Sequence, residues 1–130
     1  MNPANKYAQT QNETASPERL MVLLFTTALR HIRTAIRAFE EGRVHEAPPL
    51  LFKASDIVVE LHATLDRSQS ATICDSLAAV YQFTALRLTR AAMTRNVQLA
   101  VEAERAFAPI VDAFEQAVAL QHRPLLAGVR

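Results

Sequence analysis

The sequence predicts an all-α fold, an antiparallel up-down four-helix bundle with a flexible N-terminal arm. Three observations carry that expectation. Two glycines and six prolines in 130 residues are too few turn formers for a sandwich or barrel of short strands. Half the residues are hydrophobic while charged residues stand at 21%, so the chain can bury enough surface for one packed core. The apolar residues recur at spacings of three and four in separate runs, joined by links of roughly two to eight residues that leave neighbouring helices antiparallel.

The opening, Met1 to Thr14, is polar and contains Tyr7 but no periodic apolar pattern, so residues 1–15 are expected to form an arm or cap. Ser16-Pro17-Glu18 then reads as a helix start: Ser16 can cap the orphan amides, Pro17 suits the first helical position, and Glu18 complements the positive helix end. Leu20, Leu24, Ala28, Ile32, Ala35 and Phe39 form one stripe, and Gly42 follows as a left-handed stop, giving a first helix from Pro17 to Glu41. Pro48 and Pro49 open a second run through Leu50, Ala54, Ile57, Leu61 and Leu65, ending near Asp66.

After the polar patch Asp66-Arg67-Ser68-Gln69-Ser70, a third stripe runs through Ile73, Leu77, Val80, Thr84, Leu88 and Ala91, with Thr84 its one polar intruder. Asn96 caps a fourth run through Leu99, Phe107, Ile110, Phe114 and Val118, and Pro109 inside it must kink that helix or split it into a fourth and a fifth. The bundle is expected over residues 16–121, with 122–130 a frayed tail.

Several function classes fall away on chemistry. A net charge of +1, from 14 basic and 13 acidic residues without a basic run, lacks the footprint of a nucleic-acid binder. The single cysteine, Cys74, excludes an internal disulfide framework and a multi-cysteine zinc site, and suits a reducing, cytoplasmic setting. No apolar stretch approaches the roughly 20 residues that span a bilayer, so no membrane insertion is expected. His31, His45, His62 and His122 are scattered, with no Glu-x-x-His pair and no second histidine four residues on, so neither metal nor cofactor is expected. Asp56 and Glu60 share a helix with Lys53 on a solvent-like face, and Cys74 has no activating histidine nearby. No catalytic constellation emerges, which leaves binding rather than an enzyme.

Some apolar residues lie on the wrong side for a core. At about 100° per residue, Phe52 and Val59 fall nearly opposite the core stripe of the second helix. In the third, Ala79, Leu86 and Met93 lie off the core line, with Phe83 flanking them. Val22, Leu29 and Ile36 form a second line on the first helix. Such faces either complete a larger core or a homodimer, or offer a groove to an amphipathic helix of a partner. Tyr7 could then cover the groove while it is empty, or simply pack at the start of helix one.

Tyr7, then Thr14-Ala15-Ser16-Pro17-Glu18-Arg19-Leu20 and Leu23-Leu24-Phe25, resembles the opening of the flagellar secretion chaperone FliS family. The similarity continues through Lys53-Ala54, Ile57-Val58, Glu60-Leu61 and Leu65-Asp66 in the second helix, Leu77, Val80-Tyr81 and Arg87-Leu88 in the third, and Asp112-Ala113-Phe114 in the last. The chain departs from the family pattern as a divergent member would: Phe25 replaces a tyrosine, Thr26-Thr27 an Asp-Gly or Asn-Gly, Gln82-Phe83 an Asp-Tyr, and Phe114 a tryptophan. The resemblance implies a cytosolic type III export chaperone. Such a protein binds the C-terminal segment of flagellin, prevents its premature polymerisation and presents it to the flagellar export gate. It assigns Tyr7 to a movable cap over the binding surface. Phe52, Val59, Phe83, Leu86 and Met93 join it as expected partner-binding residues from the off-core stripes. The competing reading is a helical adaptor, or a homodimer when free, that chaperones a different type III substrate or binds a regulatory protein.

Overall fold

Ser16 starts the first helix by side-chain capping. In the computed structural model, which describes residues 16–68 and 70–129 with side chains through Gln121, its hydroxyl accepts from the Arg19 backbone N–H at 3.2 Å. The expected arm and cap, residues 1–15 with Tyr7, lies outside the described residues. Helix α1 spans Pro17–Glu40 and stops at Gly42, whose φ of 80° is left-handed. There the Gly42 N–H reaches the Phe39 carbonyl at 3.2 Å and the Arg43 N–H the Ala38 carbonyl at 2.8 Å, a Schellman closure.

A 3-10 turn at Val44–Glu46 leads into α2, Ala47–Ala63. This helix ends before the expected Asp66, at Thr64, whose N–H reaches the Glu60 carbonyl at 3.2 Å and whose hydroxyl donates to the Leu61 carbonyl at 2.8 Å. Helix α3, Ala71–Thr94, is capped by the Ser70 hydroxyl, which accepts from the Ile73 N–H at 3.3 Å. Ile73, expected in the core stripe, is instead 61% exposed. Cys74, one step round the helix, takes the inward position, and its thiol donates to the Asp66 carbonyl at 3.3 Å.

Helix α4 runs without interruption from Val97 to Val129, so Pro109 does not divide it and the five-helix alternative falls. Proline removes the amide that would serve the Arg105 carbonyl, and both Arg105 and Pro109 are exposed, where water can take that bond. Asn96 Oδ1 accepts from the Gln98 N–H at 2.9 Å at its start. The helical backbone runs on to Val129.

Each helix packs on the next in sequence, and α4 returns against α1 to close the antiparallel bundle; no strand occurs among the described residues. Phe25 sits at the centre, with ring centroids 6.3 Å from Tyr81, 5.9 Å from Phe107 and 4.7 Å from Phe114. Of the second apolar line of α1, Leu29 is buried and Ile36 packs against the core, while Val22 is half-buried. Thr27 and Thr84 are fully buried, and neither hydroxyl has a partner among the described residues.

Candidate binding surface

With the core full, the side chains left over mark the surface. Phe52, Val59, Phe83, Leu86 and Met93 are all exposed, Leu86 at 65% and Met93 at 77%. Phe83, Leu86 and Met93 come together along the outer side of α3 in a depression of about 520 Å³. Its other described lining residues are Arg87, Thr89, Arg90 and Thr94. Spacings of three and four along one helix explain the grouping.

Phe52 and Val59 are not among those lining residues; they project from α2. The Ser55 hydroxyl reaches the Ala85 carbonyl at 3.4 Å, so a small side chain lets α2 and α3 approach while their off-core rows face outward. Two neighbouring helices thus carry exposed apolar rows that no other described element covers. The four polar lining residues were missed because only apolar residues were followed. The same three-and-four spacing from Phe83 and Leu86 picks out Arg87, Thr89 and Arg90.

On α3 itself the charge beside the depression is one-sided. From Ser76 to Thr94, α3 has no carboxylate and only two charged residues, Arg87 and Arg90. The Arg87 guanidinium lies 4.7 Å from the centre of the Phe83 ring, and its Nε stands 3.3 Å from Glu102 of α4 without hydrogen-bond alignment. Arg90 is exposed and has no ion pair among the described residues. Thr89 donates its hydroxyl to the helix backbone, at 3.1 Å to the Leu86 carbonyl and 3.2 Å to the Ala85 carbonyl. Away from this face, Arg33 and Glu104 join α1 to α4 at 2.8 Å.

Among the described residues no three His, Cys, Asp or Glu side chains stand close enough to hold a metal ion. Half-buried His31 has its pKa lowered by burial first and by nearby Arg30 and Lys53 second, which disfavours the charged ring. Among the described residues no helix is long and apolar enough to cross a membrane.

Known proteins match the chain along nearly its whole length. The family model of the flagellar protein FliS covers residues 1–121. The flagellar secretion chaperone FliS of Bacillus subtilis is 31% identical over 117 residues, 90% of this chain and 86% of that protein. The flagellar secretion chaperone FliS of Salmonella typhimurium is 30% identical over 115 residues, 85% of each chain. A helical bundle with uncovered apolar rows on α2 and α3, and a family match that spans its helices, together place this chain in the FliS family.

Proposed function

We propose that the protein is a flagellar type III export chaperone that binds the C-terminal segment of flagellin, prevents its premature polymerisation and presents it to the export gate. The observation that carries this reading is the pair of exposed apolar rows, Phe52 and Val59 on α2 and Phe83, Leu86 and Met93 on α3. An amphipathic helix could cover such rows at intervals of three, four and seven. The segment would be disordered when free and fold on contact. Ordering it costs a few kcal/mol, which keeps the complex reversible and release at the gate feasible.

In this reading the protein works in the cytoplasm, where flagellin is made, and acts by binding rather than by catalysis. Tyr7 belongs to a cap that covers the rows before the partner arrives. A homodimer through the same rows would be a resting form that the partner displaces.

Co-expression with flagellin of the same organism, followed by size-exclusion chromatography, tests the proposal. A one-to-one complex that disappears when the C-terminal segment of flagellin is deleted is the expected result. No complex, or one indifferent to that deletion, would favour an adaptor for another export substrate or a regulator.

A further inference from the structure

The depression on α3 has a charge pattern as well as an apolar floor. Resting on the chaperone reading, we propose that the partner helix lying here carries a carboxylate beside its apolar row, and that Arg90 binds it. Arg90 lies four residues after Leu86 and three before Met93, so its guanidinium rises from the same helix face as the apolar contacts. It has no ion pair among the described residues, and α3 offers no carboxylate of its own between Ser76 and Thr94.

Arg87 is differently placed: it already faces Glu102 at 3.3 Å and lies on the Phe83 ring, so it borders the depression as a held cation. A partner side chain arriving over Leu86 and Met93 would exclude water around Arg90. An apolar neighbour there would strand a desolvated charge, whereas an acidic one would be paired. Arg90 thereby selects among amphipathic helices of similar apolar pattern, favouring an acidic flank and opposing a basic one.

The test uses the full chain and monomeric flagellin of the same organism, with affinity measured by calorimetry at low and high salt. Arg90→Gln is expected to weaken binding about three- to tenfold at low salt, within the range of a partly desolvated pair. Arg90→Lys should retain most of the affinity, and the difference between Arg90→Gln and wild type should shrink as salt rises. Replacing each acidic residue of the flagellin C-terminal segment by lysine in turn should restore binding to Arg90→Glu at one position. Wild-type affinity in Arg90→Gln, with Leu86→Asp still weakening binding, overturns the acidic-flank inference while the chaperone reading stands. A change in self-association alone would make this face an interface between copies and overturn it too. No complex with wild-type protein overturns both.

Discussion

Phe25 of α1 and Phe114 of α4 face each other with ring centroids 4.7 Å apart. Both stand where the chain departs from the pattern it otherwise resembles, Phe25 for a tyrosine and Phe114 for a tryptophan. The two departures therefore meet in one contact. A smaller ring at one position and a hydroxyl-free ring at the other keep the site aromatic and remove two polar groups that would need partners.

Phe25→Ala is expected to cost about 3–5 kcal/mol, because the ring is almost fully buried among three other aromatics and the cavity cannot collapse onto so many rigid neighbours. Half-buried Phe114 should cost less on truncation. A double-mutant cycle by urea denaturation should give a coupling of about 0.5–1.5 kcal/mol between the two rings. Additive losses would mean that the two rings do not support each other.

Leu86→Asp and Val59→Asp should leave helicity and the melting temperature nearly unchanged while weakening the flagellin complex. Both side chains are largely exposed, so an acid at either position is solvated when the protein is free and buried only when a partner lands. Circular dichroism and pull-down on the same preparations separate the two effects. A melting loss comparable to that of Leu88→Ala, a fully buried neighbour, would return the residue to the core.

Helix existence was legible because capping and periodicity agreed at Ser16 and Asn96, where each side-chain oxygen accepts a backbone amide; the Ser70 cap of α3 was not foreseen. The surface rows were legible on α2 and α3 because Phe52, Val59, Leu86 and Met93 break the core period. On α1 the larger-core alternative holds for Leu29 and Ile36, since a helix flanked by two neighbours buries a wide arc. Ile73 was misplaced because the first turn of α3 offers two candidate apolar faces, and only Cys74 meets the chain returning from α2. The basic side of the depression was invisible to a reading that followed hydrophobic spacing alone.

Thr84→Val should stabilise the fold by about 0.5–1.5 kcal/mol, and Thr27→Val by a similar amount. Each hydroxyl is buried without a partner among the described residues, and valine keeps the branched shape while removing the stranded group. Urea midpoints measure the change. A loss of stability would reveal a hydrogen bond to the hydroxyl, and with it a polar role for that core position.

Arg95 closes α3 in the left-handed region at φ 51°, and the Asn96 N–H after it reaches back to the Ala91 carbonyl at 3.1 Å. A side chain with a Cβ costs about 1–2 kcal/mol in that conformation, and glycine avoids it at some cost in unfolded-chain entropy. Arg95→Gly is accordingly expected to raise stability by roughly 0.5–1 kcal/mol. Arg95→Val should lower it, because a β-branched side chain fits that backbone worst. If both variants melted together, the α3–α4 turn would not hold the left-handed conformation in solution.

Tyr81 gives the fold a titration at high pH. Burial, reinforced by the nearby Cys74 thiol, pushes its phenol from the usual 10.0 up to about 12. The folded value lies above the unfolded one, so folding binds the proton more tightly. The contribution is fully present below about pH 10 and is lost as pH rises towards 12. A shift of this size corresponds to about 2–3 kcal/mol at most. Urea midpoints followed from pH 9 to 12 should therefore fall more steeply in the wild type than in Tyr81→Phe, where no proton is lost. Phenolate absorbance should show the late-titrating tyrosine only in the wild type. Equal slopes in the two proteins would mean that the phenol ionises in the folded state without penalty, and that water reaches the ring beside Phe25.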